Sequence, residues 1–158
     1  MRDEQATRLV RAETIRAAEQ SFSHPWNPAS EVHGTRLGPL TGLRRLAVNV
    51  ARLPPGKESF VPHRHHVEEE WLYILSGCGT ALIGETEHEV GPGDFMGFPA
   101  GSDAHHLRNT GTDDLVYLVG GEVVAVDVAD FPAHAKRLVR IGDRVEIADA
   151  DAFRPWPG

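Results

Sequence analysis

Residues 56–77 read GKESFVPHRHHVEEEWLYILSG, and the fold turns on this stretch. It leaves a Pro-Pro-Gly turn at Pro54–Gly56, crosses a cluster of histidines and glutamates, and ends in an apolar run. His63 and His65 are two apart. In an extended strand, side chains at i and i+2 leave the same face, so both imidazoles can converge on one point. Glu70 opens a strand with Leu72 and Ile74 on its own face and Trp71 and Tyr73 on the other. A second stretch, GDFMGFPAGSDAHHLRN at residues 93–109, ends in a strand where His105 shares a face with Leu107. Three neutral imidazoles and a carboxylate suit Fe, Mn, Ni, Cu or Zn, whereas Mg and Ca want more oxygen ligands. A lone His-x-His is weak evidence, because histidines are common on solvated loops.

Outward from these stretches the pattern is almost entirely strand-like. LRRLAVNVARL (Leu43–Leu53) alternates, with Leu46, Val48 and Val50 on one face. Strands are expected at about Glu69–Leu75, Thr80–Ile83, His88–Val90, Phe95–Phe98, Leu115–Val119 and Val123–Val128, with weaker ones at Lys136–Arg140 and Arg144–Ile147. The 16 glycines and 11 prolines fall between these runs, as tight turns require. The best helical candidate is Ala12–Gln20, halted by SFSHPWNP at residues 21–28. Short strands with one short helix indicate an all-β sandwich or barrel. The expected organisation is an N-terminal segment with a short helix and extended arm (1–42), a barrel (43–128), and C-terminal strands and tail packing on it (129–158).

Composition bounds the function. A chain of 158 residues is one domain's worth. The formal charge is −7 and no Lys/Arg cluster forms a stripe, so nucleic acid is a poor partner. One cysteine, Cys78, allows no internal disulfide. No apolar run is long enough to span a membrane, and MRDEQATRLVRAETIR lacks an apolar leader core. A soluble, cytoplasmic protein without a membrane partner is the expectation.

Gly56, His63, His65, Glu70 and Gly77 read as G-x6-H-x-H-x4-E-x6-G, which resembles the first motif of the cupin superfamily. Gly93, Pro99, Gly101, His105 and Asn109 read as G-x5-P-x-G-x3-H-x3-N, which resembles the second. Each carries one extra residue, between Gly56 and His63 and between Gly101 and His105, in loops. The resemblance covers about Gly56–Asn109. It implies a small single-domain jelly-roll barrel, or double-stranded β-helix, with a metal near one mouth. The implied ligands are His63, His65, Glu70 and His105. Glu68 and Glu69 compete for the carboxylate role, but Glu70 has the right distance to Gly77 and the parity of Leu72 and Ile74. His66 and His106 point the other way by alternation; His24, His33, His88 and His134 read as surface histidines.

The expected function is a metal-dependent enzyme of isomerase, lyase or dioxygenase type acting on a small polar or anionic molecule. The alternatives are a non-catalytic ligand-binding or sensory protein, or a purely structural metal. Tyr117, Arg45, Asn49 and Arg52 are candidates to line the pocket. Asn109 is expected to hydrogen-bond the turn at TGTD. Trp71 and Tyr73, outside the barrel, are covered by the N-terminal segment, by a second subunit, or by packing within one subunit. A homodimer is expected, with Val32–Leu37 pairing with a partner's sheet.

Overall fold

The glycine and proline turns cut the chain into strands of two to eight residues, which must find partners to satisfy their backbone groups. The computed structural model describes residues 7–157. Helix α1 (Ala12–Ala17) precedes β1 (Gln20–Phe22), β2 (Val32–Arg36), helix α2 (Leu37–Thr41) and β3 (Leu46–Leu53). Then come β4 (Arg64–His65), β5 (Glu70–Ser76), β6 (Gly79–Ile83), β7 (Thr86–Val90), β8 (Phe95–Phe98) and β9 (His105–Arg108). The chain continues through β10 (Leu115–Glu122), β11 (Val126–Phe131), β12 (Lys136–Ile141) and β13 (Arg144–Asp149).

One wall is a six-stranded sheet in the order β1-β2-β3-β10-β5-β8. Opposite it lie β13-β12-β11-β4 and β7-β6-β9, joined where His63 and His105 exchange backbone hydrogen bonds of 3.3 and 2.9 Å. The antiparallel walls enclose Leu53, Ile74 and Leu115, all with no exposed surface, together with Leu72, Ala81, Met96, Phe98, Leu107 and Tyr117. This is the expected all-β jelly roll with a short N-terminal helix.

Several details differ from the sequence reading, each for a tertiary reason. Helix α1 stops at Ala17 because Gln20–Phe22 pairs with Val32–Gly34. In β3 the shared face of Leu46, Val48 and Val50 is kept and is the outer one, while Ala51 and Leu53 face the core. The last buried strand is Val126–Phe131 and not Val123–Val128: β10 runs on to Glu122 to stay paired with β3, and residues 123–125 carry the chain to the other wall. Val32–Leu37 is not a free edge. Its strand is flanked by β1 and β3 of the same chain, and Leu37 begins α2. Gly77, at the end of β5, has φ +79°, and a Cβ there would lie 2.3 Å from the Asp114 carbonyl oxygen, so no larger residue fits.

Trp71 packs within its own chain: it stacks on Phe95 with centroids 6.4 Å apart and lies over Gly120, whose missing side chain makes the room. The N-terminal segment ties down elsewhere on that face, through Thr35 Oγ1 donating to the Ile15 carbonyl and Arg52 pairing with Glu19.

The second wall is pinned by a buried carboxylate. Asp130 on β11 accepts two bonds from Arg137 on β12, at 2.7 and 3.0 Å, and meets His66 Nε2 at 2.7 Å. The Arg137 bonds, then burial working against them, then His66, leave the Asp130 carboxyl well below its ordinary range. A depressed folded value stabilises the fold above the unfolded carboxylate range and is lost as pH falls through the folded value. Asp130→Asn is therefore expected to cost about 2 kcal/mol at pH 7, a Tm drop of roughly 4–8 °C. The gap to wild type should narrow in melts recorded below about pH 4; a gap independent of pH would show that ionisation is not what stabilises.

Candidate metal centre

The four residues singled out in the sequence come from three places in the barrel. His63 and His105 are a directly opposed antiparallel pair, so their side chains leave the same face as near neighbours. His65 follows by strand parity and is opposed by Ala129 of β11. Glu70 reaches in from the facing wall, between Gly121 of β10 and Phe98 of β8. Phe98 then stacks on the His105 ring, centroids 3.5 Å apart and planes within 3°, which fixes that imidazole's orientation.

The ring nitrogens are sorted. His63 Nδ1 lies 3.0 Å from the Val61 carbonyl oxygen, His105 Nδ1 lies 3.3 Å from that of Asp103, and His65 Nδ1 lies 2.6 Å from Asp127 Oδ2. A carbonyl or carboxylate oxygen only accepts, so Nδ1–H donates and Nε2 is the nitrogen each ring turns into the cluster. All three Nε2 atoms face one atom, Glu70 Oε2, at 3.7 Å (His63), 3.5 Å (His65) and 3.1 Å (His105). Burial opposes charge on Glu70, but hydrogen bonds with His105, His63 and His65 outweigh it and hold the carboxyl well below its ordinary value. Three pinned imidazoles turned on an ionised carboxylate form a donor set that fits a divalent cation of the borderline class.

The set is not uniform. His63, Glu70 and His105 have donor atoms within 4.8 Å of one another, whereas the Nδ1 side of His65 belongs to a second cluster with Glu68 and Asp127. That second cluster is already satisfied. Asp127, 1% exposed, also accepts from the Val67 and Glu68 backbone N–H groups, and Glu68 pairs with Arg140 at 2.8 Å. Burial pushes the His65 imidazole down, but hydrogen bonds with Glu70 and Asp127 and nearby negative charge raise it to about 9. Asp127 thus orients His65, and the sequence reading missed it. Its signal was an aspartate inside the apolar VVAVDV run, where a buried carboxylate needs a partner.

Asp127→Asn tests this. Whichever way the amide turns, its NH2 group faces either the His65 Nδ1–H or the two backbone N–H groups, so the imidazole loses its anchor or flips its proton to Nε2. Divalent-ion affinity, read by chelator competition, should fall about 10–100-fold. Affinity within twofold of wild type would remove Asp127 from this role.

Two cavities meet at the cluster. One of about 450 Å³ runs into the barrel past Leu72, Met96, Phe98 and Tyr117; the other, of about 380 Å³, lies outward among Glu68, Glu69, Glu122 and Arg140. Of the pocket residues named from sequence, Tyr117 lines the inner cavity and Asn49 both. Arg45 and Arg52 do not. Arg45 is exposed ahead of β3, and Arg52 lies on the outer face of the sheet, held by Glu19 and Asp114. Glu68 and Glu69 line the outer cavity. His66 turns away to Asp130, and His106 to the Phe60 carbonyl. His24 is not a surface histidine: it is half-buried beside Trp26, Phe60 and Phe131 at the outer cavity.

Residues 49–121 match the family described as Cupin domain. A candidate sugar phosphate isomerase from Acidithiobacillus ferrooxidans is 36% identical, with a TM-score of 0.89 over 95% of this chain and 97% of that one. A sugar phosphate isomerase of the cupin superfamily from Silicibacter pomeroyi is 25% identical, with a TM-score of 0.77 over 84% and 86%. Auxin-binding protein 1 of Arabidopsis thaliana is 37% identical over 89 residues, 51% of this chain, and the match spans 43% of that curated relative. No helix among the described residues is long and apolar enough to cross a membrane.

Proposed function

The chain belongs to the cupin superfamily, and from that premise we propose that it is a metal-dependent enzyme of isomerase type acting on a small polar or anionic molecule. The observation that carries the reading is the convergence of three Nε2 atoms on Glu70 Oε2 at the junction of two cavities. His63, His65, Glu70 and His105 would hold one divalent ion of the Fe, Mn, Ni, Zn or Cu group. When bound, such an ion supplies Lewis acidity to a substrate oxygen. The chain's own part is to fix the imidazoles through Val61, Asp103 and Asp127, to keep Glu70 ionised, and to wall the site with Phe98 and Leu72. A purely structural metal fits less well, because closed four-ligand sites do not open on cavities. The isomerase class draws support from the likeness to the two sugar phosphate isomerase structures.

The test is solvent isotope exchange. Purified protein is analysed for metal, then incubated in D2O with phosphorylated sugars and with 2-oxo and 2-hydroxy acids. Deuterium should enter the carbon next to the carbonyl or carbinol with loaded protein, and not with stripped protein. A second reading, non-catalytic ligand binding, is favoured by the likeness to an auxin-binding protein. Tight binding of a compound that comes back unchanged and unexchanged would select it.

We also propose a homodimer in the cytoplasm. The outer face of the six-stranded sheet leaves Tyr73, Leu75 and Phe95 at 39%, 43% and 65% exposure, an apolar patch that a second copy would cover. Light scattering should give twice the 17.3 kDa chain mass; a species of one chain mass at micromolar concentration would refute it.

A further inference from the structure

The two cavities that meet at the cluster differ in charge. The outer one is lined by Glu68, Glu69, Glu70, Glu122 and Asp127 against a single arginine, Arg140, which already bonds to Glu68 at 2.8 Å and to the Val124 carbonyl at 3.0 Å. Glu70 is the one acidic side chain lining the inner cavity, and the one Arg or Lys there is Arg36, at the end of β2. Arg36 stands opposite Asn49 of β3, Asn49 opposite Val119 of β10, and Val119 opposite Leu72 of β5. Directly opposed residues share a face of the sheet, and Leu72 belongs to the core, so Arg36 is on the inner face. It is exposed there, and among the described residues no hydrogen bond or ion pair holds its guanidinium. The neutral polar lining is divided as well. The hydroxyls of Thr35 and Ser59 are taken, by the Ile15 carbonyl and the Leu107 N–H. Gln20 and Ser21 of β1 and Asn49 of β3 stand either side of Arg36.

We infer that Arg36 is a specificity-determining residue of the proposed enzyme, holding the phosphate of a small phosphorylated sugar whose reacting end lies at the histidine–glutamate cluster. It rests on the proposed function for the reacting end alone. A phosphate directed outward would meet four carboxylates besides Glu70, and one arginine that Glu68 already neutralises. Directed inward it meets an unpaired guanidinium, whose planar fork takes two phosphate oxygens at once. Because Arg36 is exposed, the dianion keeps part of its hydration, which it would lose against Leu72, Met96 and Phe98. The amides of Gln20 and Asn49 offer partners to the sugar hydroxyls. Three strand spacings separate β2 from β5, so Arg36 and Glu70 are rooted roughly 15 Å apart along the sheet. Their side chains shorten that span to the length of a small phosphate ester. Arg36 lies outside residues 49–121, the part that matches the family, so recognition of the phosphate belongs to this chain's N-terminal segment.

The experiment is calorimetric titration of metal-analysed protein with glucose 6-phosphate, ribose 5-phosphate, the two parent sugars and glucuronate. In the wild type at least one phosphate should bind about 10-fold or more tighter than its parent sugar, the gain from hydrogen bonds to a charged group. Arg36→Gln should erase that preference while leaving the parent sugar's affinity and the Tm unchanged. Arg36→Lys should recover part of it, as a charge without the fork. Arg140→Gln should leave the preference standing. No binding of either phosphate, equal affinity for phosphates and parent sugars, or a preference that survives in folded Arg36→Gln would each overturn the inference. So would a preference lost in Arg140→Gln alone. Glucuronate bound as tightly as the better phosphate would overturn the substrate class. Protein that takes up no divalent ion sinks the proposed function, whereas an Arg36-dependent preference for phosphates in that same protein would keep the phosphate site. Protein that holds the ion and exchanges deuterium but shows no such preference sinks this inference alone.

Discussion

Replacing His105 with alanine is expected to abolish metal uptake at the candidate centre while leaving a folded barrel. The residue is 4% exposed, its ring is clamped on Phe98, and it presents Nε2 3.1 Å from Glu70 Oε2, the shortest approach of the three imidazoles. Four-ligand structural zinc sites bind with about 10–16 kcal/mol, so on that scale one ligand in four is worth about 3 kcal/mol, or roughly 100-fold in affinity. Metal retained after dialysis against a weak chelator should fall from near one ion per chain to background. The apo barrel should also lose stability, by about 2 kcal/mol, because a cavity opens beside Phe98 and Glu70 loses a donor. Neither loss reaches the apolar floor at Leu53, Ile74 and Leu115, so the circular-dichroism spectrum should stay that of the wild type. His66→Ala is the control: its Nε2 is 2.7 Å from Asp130 and takes no part in the cluster, so metal content should hold. Unchanged metal in His105→Ala, or loss in His66→Ala, would refute the ligand set.

How much of this was legible in the sequence depends on which force decides each residue. The His63/His65 and Glu70/Leu72 relations follow from strand parity, which is local, and the structure keeps them. Asn109 was legible for the same reason, as a short amide next to a turn it can bond. What parity cannot say is which face is inside. Leu46, Val48 and Val50 do share a face, but it is the outer one, and Ala51 and Leu53 are the buried residues of β3. Arg52 lies on that outer face as well, where it meets Glu19, a partner 33 residues away that no local pattern announces. The strand at Gln20–Phe22 was hidden among turn formers because pairing with β2, a tertiary event, outweighed local preference. Asp127 was missed because its partner His65 is 62 residues away.

Asn109→Ala is expected to be the most damaging change outside the cluster, although it touches no proposed ligand. The side chain is 2% exposed and uses every polar atom it has. Nδ2 donates to the carbonyl oxygens of Leu53 at 2.7 Å and Asp113 at 2.8 Å, and Oδ1 accepts from the Gly111 N–H at 3.0 Å. Its backbone is paired as well, accepting from Gly56 N–H and donating to the Lys57 carbonyl. One residue therefore joins the end of β3, the 110–114 loop and the turn that leads into His63. Alanine removes three side-chain bonds at once and leaves a void that the surrounding backbone cannot close. At about 1 kcal/mol each, the loss is about 3 kcal/mol, which for a chain of this length lowers Tm by roughly 6–12 °C. Asn109→Asp separates the two components. It keeps the volume but turns an oxygen toward two carbonyl oxygens, so it should be at least as destabilising at neutral pH, whereas a simple void effect would let it behave as wild type. Both variants should still bind metal well below their melting temperature, because the imidazoles are pinned by Val61, Asp103 and Asp127 and not by Asn109. A Tm shift under 2 °C in Asn109→Ala would mean that the turn holds itself together without the amide.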